Sequence, residues 1–205
     1  MAKRSNARRT PPGSVRIIGG EWRSRRLSIP DGTNVRPTPD RVRETLFNWL
    51  RDSVIGSRCL DLFAGSGVLG FEALSRGAAH ACFVERDPVL IAALNVQAAV
   101  FGVTARIVRQ DGESFLRGAV AEPFDVVFLD PPYAAPIEPL LDLLPRWLSS
   151  RAVIYVERPR RPGLPQVEHG TWLKRGTAGA VEYGLLSMTV RGADDTMRVP
   201  PWTGR

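Results

Sequence analysis

Residues 124–133 form an apolar, strand-like stretch that ends in the carboxylate of Asp130, the prolines Pro131 and Pro132, and the ring of Tyr133. These residue types can hold an amino group. The exocyclic amine of a nucleic-acid base is a poor nucleophile because its lone pair is delocalised into the ring. An enzyme that alkylates it must grip its hydrogens and favour tetrahedral geometry. Asp130 can accept one N–H and the Pro131 carbonyl the other, while the prolines hold the turn rigid. Tyr133 offers a stacking platform for an unpaired base. The proton leaves after the new bond has made the nitrogen cationic and acidic, so no strongly perturbed general base is required. Taken alone, the same four residues could be a turn that closes a core strand.

A second group lies at residues 61–70, where Asp61, Leu62, Phe63 and Ala64 lead into Gly65, Ser66, Gly67 and, three residues on, Gly70. A strand that ends in a glycine-rich turn and opens a helix brings backbone N–H groups to the carboxyl edge of a sheet, where open α/β folds bind ligands. The spacing also satisfies G-x-G-x-x-G, and Glu85 ends the next apolar run 20 residues after Gly65, followed by Arg86. A carboxylate there would accept from ribose hydroxyls. Asp111, followed by Gly112, is a third candidate: its carboxylate can accept from an adenine amine, cap the next helix, or do both. A hydride-transferring dinucleotide enzyme leaves Asp130–Tyr133 idle, whereas methyl transfer from S-adenosylmethionine employs both groups. A noncatalytic RNA-binding protein on the same fold is the alternative from another class, and every motif position looks intact for chemistry.

The elements around these residues follow from periodicity. Apolar runs at 58–63, 81–85, 105–109, 124–129 and 152–156 alternate with helix-like stretches near 67–76, 88–101, 112–118 and 136–147. That alternation predicts a parallel sheet covered on both faces. Residues 171–174 and 185–190 then predict two strands that close the sheet as a hairpin. Upstream, 15–19 and 26–29 read as a small hairpin through Gly19 and Gly20. Thr38 and Pro39 suit the N-cap and first position of a helix whose apolar face is Val42, Leu46, Trp49 and Leu50, with Arg41, Arg43 and Glu44 opposite. The expected organisation is a flexible basic arm over 1–14, a β-hairpin extension over 15–35, a catalytic domain over 36–190 and a loose tail over 191–205.

Composition narrows the function classes. With 205 residues and 43% apolar residues, the chain holds one substantial core. Residues 1–60 carry 13 Lys and Arg against 5 Asp and Glu, whereas the rest carries 15 against 16. A one-ended excess suits a surface for a polyanion, although a solvated face is the plainer reading. Arg16, Arg23, Arg25, Arg26, Arg36, Thr38, Arg41 and Arg43 are the candidate nucleic-acid contacts. Cys59 and Cys82 sit in apolar strand-like runs, and His80 and His169 complete a set with no metal-site or disulfide spacing. No metal is expected. No stretch is long and apolar enough for a membrane span, and the basic start lacks a secretory core, so a cytoplasmic protein is expected.

With these residues in view, the sequence resembles the bacterial RsmD-type family of small-subunit ribosomal RNA guanine-N2 methyltransferases. The resemblance runs from Arg16 to about Val190 and is most specific over residues 36–48, 61–67 and 130–133, with 16–22 also alike. It implies a class I methyltransferase (Rossmann-like) α/β fold, with a seven-stranded, mostly parallel sheet whose last strand is antiparallel. It implies that Asp61, Phe63, Gly65, Ser66, Gly67, Glu85, Arg86, Asp111 and Gly112 bind S-adenosylmethionine, and that Asp130 and Pro131, with Pro132 and Tyr133, hold the guanine amine. The implied substrate is 16S RNA in the 30S particle or an assembly intermediate, at a loop near the P site, and the implied state is a monomer. DNA is the alternative partner, since the same Asp-Pro-Pro-Tyr chemistry serves flipped-out bases in DNA. Against it, the chain has no insertion large enough to be a separate target-recognition domain. Protein-amide methylation would call for Asn where Asp130 stands.

Overall fold

The computed structural model describes residues 13–33 and 35–188. Strands β1 (Ser14–Arg16) and β2 (Arg26–Ser28) pair antiparallel, with Val15 opposite Leu27. Helix α1 (Asp40–Trp49) and the single turn α2 (Arg51–Val54) follow. Strands and helices then alternate as β3 (Arg58–Asp61), α3 (Val68–Ser75), β4 (His80–Glu85), α4 (Pro88–Phe101), β5 (Arg106–Arg109), α5 (Gly112–Arg117), β6 (Phe124–Leu129) and α6 (Glu138–Leu143). A 3-10 turn (Leu144–Trp147) leads into β7 (Leu148–Pro159), and β8 (Gly170–Ala178) and β9 (Val181–Met188) end the described chain.

These strands make one seven-stranded sheet in the order β5-β4-β3-β6-β7-β9-β8. Strands β3 to β7 run parallel, and β9 enters antiparallel between β7 and β8. The expected class I architecture is therefore present. Because the chain winds outward from β3 through β4 to β5 and then returns to β6 on the other side, a crevice opens between β3 and β6 at their carboxyl ends. Alternation along β6 divides the core: Val126 and Phe128 face a layer built from the hairpin, α1, α3 and α4, while Val127 and Leu129 face α5 and α6.

Local chemistry accounts for both ends of α4. Asp87 caps α4 by accepting from the Val89 N–H, Pro88 occupies the first helical position, and Gly102 closes the helix in the left-handed region. Helix α1 starts differently from expectation. Pro39, not Thr38, is its N-cap, and the Pro39 carbonyl accepts from Val42 and Arg43. Flanked by Pro37 and Pro39, Thr38 is driven toward extended backbone, which carries its hydroxyl away from the helix start. Strand β7 is also longer than the apolar run 152–156, because β9 pairs with it as far as Pro159 and a register shift opposite Phe124 accommodates Ser149–Arg151. Polar residues hid both extensions.

The small hairpin is docked on the α/β core rather than held away from it. Ile17 and Leu27 are fully buried, and Trp22 stacks on Phe101 with centroids 4.4 Å apart. A two-stranded ribbon is marginal by itself, and each such burial contributes roughly 1.5–3 kcal/mol. Glu72 of α3, wholly inaccessible, accepts from the Ile18 and Gly19 N–H groups at 2.9 and 2.8 Å, and Ser75 Oγ accepts from the Trp22 N–H.

Candidate active site

The parallel strands deliver their carboxyl ends to one edge, and acidic side chains gather there. Asp61 ends β3 and is buried, with Oδ2 accepting from the Gly70 N–H at 3.0 Å. Burial pushes this carboxyl up to about 7; the Gly70 hydrogen bond opposes the shift and Glu85 adds to it. The turn after β3 needs its glycines: Gly65 and Gly67 have φ of 52° and 73°, and a Cβ on Gly70 would lie 2.3 Å from the Phe83 ring. Glu85 ends β4, its Oε2 accepting from the Gly65 N–H at 2.9 Å and its Oε1 from Arg86 and Asp87. Asp111 caps α5 by accepting from Glu113 and Ser114. Gly112 packs so closely on Phe63 that a Cβ would meet its ring at 2.7 Å. All nine expected cofactor residues thus lie on or beside this edge, with Ser66 buried and Arg86 exposed.

Two strands away from Glu85, the other set converges. Asp130 follows β6, Pro131 is buried, Pro132 is exposed and Tyr133 is 54% exposed, a ring presented to solvent. Leu129 pairs with Val156, so Asp130 and Glu157 leave the sheet side by side on the face shared with Phe128 and Tyr155. Burial holds Asp130 well above the usual carboxylate range, the neighbouring charges of Glu157 and Asp61 push it the same way, and Arg158 opposes them. Glu157 is buried and also raised by burial, against which the Tyr155 and Thr38 hydroxyls work by hydrogen bonding. The Tyr155 hydroxyl reaches Glu157 Oε2 at 2.6 Å.

Glu157, Tyr155 and the turning of the Thr38 hydroxyl to Glu157 were not anticipated from the sequence. A signal existed in the acidic residue that ends the buried run 152–156, as Glu85 ends its own. Only the β6–β7 register places it beside Asp130.

The expected nucleic-acid contacts separate into groups. Arg23, Arg26, Arg36 and Arg41 are exposed. Arg16 is exposed too but pairs with Asp40, Nε to Oδ2 at 2.7 Å. Arg25 donates to the Val100 carbonyl at 2.8 Å and lies 4.3 Å over the Phe101 ring. Arg43 is a correction: it is completely buried and bonded to Asp40, Glu72 and the carbonyls of Thr38 and Arg16, so no phosphate can reach it. Thr38, 4% exposed, is likewise buried and not on an open surface. Helical spacing had set Arg43 opposite the apolar face, yet α1 is covered on that side by the hairpin and α3.

Cys59 and Cys82 are free and buried, and burial pushes their thiols up to about 12 and about 11. That keeps them protonated and unreactive. Among the described residues, no His, Cys, Asp and Glu group is arranged to hold a metal, and no helix is long and apolar enough to cross a membrane.

Comparison with known proteins agrees with this geometry. The family model described as Conserved hypothetical protein 95 matches residues 15–187. The Ribosomal RNA small subunit methyltransferase D of Escherichia coli (strain K12) is 44% identical over 188 residues, covering 89% of this chain and 94% of that protein. The protein of the same name from Haemophilus influenzae is 44% identical over 180 residues, 84% of this chain and 93% of its own length. Among solved structures, yhhF of Escherichia coli, described as a methyltransferase, superposes with a TM-score of 0.81 at 42% identity, covering 87% of this chain and all of that one. A distant methyltransferase fold solved in complex with SAH has a TM-score of 0.65 at 15% identity, over 87% of this chain and 57% of its own.

Proposed function

From the premise that the chain belongs to the RsmD-type family of ribosomal RNA methyltransferases, we propose that it methylates the exocyclic N2 amine of a guanine in 16S ribosomal RNA. S-adenosylmethionine is the donor, and the substrate is the 30S particle or its assembly intermediate, at a loop near the P site, in the cytoplasm. The observation that carries the reading is the placement of Asp130, Pro131 and the exposed Tyr133 ring beside the glycine turn of Asp61–Gly67 on one sheet edge. The comparisons carry the ribosomal substrate.

The residues suit an adenosyl group. Glu85 and Asp111 supply carboxylates at successive strand ends, as a ribose diol and an adenine amine require. Phe63, beside Gly112, lends an apolar wall. Ser66 and Gly67 open the helix whose N-terminus faces the crevice. S-adenosylmethionine supplies, when bound, a methyl group on a positively charged sulfur. Asp130 and the Pro131 carbonyl accept the two amine hydrogens and turn the nitrogen lone pair out of conjugation, and Tyr133 stacks on the flipped-out base. As the N–C bond forms and the methyl–sulfur bond breaks to leave a neutral thioether, the nitrogen would become cationic and lose one proton to the Asp130 carboxylate. The raised affinity of Asp130 for a proton makes it a better acceptor than an ordinary aspartate.

Arg23, Arg26, Arg36 and Arg41 form the phosphate-facing surface, with the 1–14 arm adjoining it in sequence and the 191–205 tail outside the described residues. The protein acts as a monomer.

The first experiment is transfer of labelled methyl groups from S-adenosylmethionine to 30S particles lacking the modification, beside naked ribosomal RNA and duplex DNA, with nucleoside analysis. N2-methylguanosine on the particle is expected. Label on DNA would replace the substrate with DNA, and no label on any of them would overturn the enzymatic reading.

A further inference from the structure

We infer that Glu157 is a specificity residue of the base pocket, one that reads the N1–H of guanine while Asp130 and Pro131 hold the N2 amine. The inference rests on the guanine-N2 reading above and deepens it.

Asp130 and Glu157 leave adjacent parallel strands at the same level and on the same face, since Leu129 and Val156 are register partners. Adjacent strands lie about 4.8 Å apart, a separation that two groups meeting one base edge can span. Glu157 is 4% exposed, yet it takes no part in the ion pairs among the described residues. Its partners are two neutral hydroxyls, those of Tyr155 at 2.6 Å and Thr38. A buried carboxylate left without a cation is expensive to keep, and one serving only the fold is normally paired. Both hydroxyls favour the charged, accepting form of Glu157 against the burial that raises it, and Thr38 comes from the segment just ahead of α1 to do so.

The pocket wall is therefore made of acceptors: the Asp130 carboxylate, the Pro131 carbonyl and the Glu157 carboxylate. Base edges differ in what they offer such a wall. Guanine presents hydrogens at N1 and N2 together. Adenine sets an acceptor at N1 beside its amine, and cytosine sets one at N3, so each would bring a lone pair against Glu157. A wall of acceptors selects guanine by pairing and rejects the others by repulsion.

The test uses reconstituted 30S particles whose 16S RNA carries either guanine or 2,6-diaminopurine at the mapped target. The analogue keeps the N2 amine but has a lone pair at N1. The wild-type enzyme is expected to favour guanine by about 100-fold or more in kcat/KM. Glu157→Gln, whose amide can donate to N1, is expected to narrow that preference to about tenfold or less, with cofactor binding retained as the check on folding. Its acid limb in the pH profile is also expected to move down, because the charge that raises Asp130 is gone. Equal use of the two bases by the wild-type enzyme overturns the inference without any variant, as does an undiminished preference in a folded Glu157→Gln. Absence of N2-methylguanosine on the guanine particle removes the amine reading itself, and is told apart by that product analysis.

Discussion

Glu72 and Glu157 are both buried glutamates, and the protein treats them in opposite ways. Glu72 accepts four hydrogen bonds, from the Ile18 and Gly19 N–H groups, from Arg43 at 3.1 Å and from Arg76 at 2.8 Å. Two oxygens with two donors each, half of them cationic, make a staple between the hairpin, α1 and α3. Among the described residues Glu157 receives only hydroxyls, and with Asp130 and Asp61 it forms an edge where burial outweighs stabilisation and all three carboxyls are raised. The difference separates structure from chemistry: a satisfied carboxylate ties elements together, while an under-satisfied one keeps capacity for a substrate's hydrogens.

Breaking each side of that contrast has a distinct readout. Asp130→Ala is expected to reduce single-turnover methyl transfer by roughly 10²–10⁴-fold while calorimetry finds cofactor binding retained. Near-normal transfer would take Asp130 out of the chemistry. Glu72→Ala leaves Arg43 buried with half its anionic partners, and should lower stability by about 3–5 kcal/mol, a fall in Tm on the order of 10 °C. A melt within a degree or two of wild type would mean that the staple is not structural.

Asp61→Asn probes the under-satisfied edge through stability. The aspartate ionises near 3.8 when unfolded and at about 7 in the fold. Below 3.8 both states hold the proton and nothing is lost. As pH rises toward 7 the unfolded chain ionises first and stability falls, and the penalty is complete above 7. The cofactor-free asparagine variant should therefore gain on wild type more at pH 8 than at pH 5, by roughly 2–3 kcal/mol. A constant difference across that range in thermal melts would contradict the burial of Asp61.

The smallest effect concerns the arginines. Arg23 and Arg26 changed together to Ala should weaken RNA binding and shallow its log–log salt dependence by about 2, with cofactor binding unchanged. Adding Arg25→Ala should change the slope little, because that guanidinium is held by Val100 and Phe101. An unchanged slope in the double variant would move the RNA surface elsewhere.

Much of this was legible in the order of residues. Short apolar runs alternating with helical ones were enough for the parallel sheet, and five of its seven strands are centred where those runs lie. The antiparallel pair at the end was expected too, though longer in fact, because ladder pairing carries a strand through polar residues that break the apolar pattern. The glycine turn and Asp130–Tyr133 were readable because each is contiguous, so its chemistry and its geometry are encoded in one stretch.

What the sequence could not assign were the residues whose role depends on a neighbour distant in the chain. Helical spacing alone set Arg43 on an outer face, and only docking of the hairpin and α3 over α1 made that face an interior that needs a cation for Glu72. Thr38 looked like a cap until the flanking prolines and the packing of its segment turned its hydroxyl to Glu157. Glu157 itself came to lie beside Asp130 through the pairing of Leu129 with Val156. Local propensity and motif chemistry act over a few residues and are written in the chain, whereas burial and the identity of a charge's partner arise when remote segments meet. The sequence alone therefore determined the sheet and the two motifs at its edge, and tertiary packing decided which charges staple the fold and which stay under-satisfied at that edge.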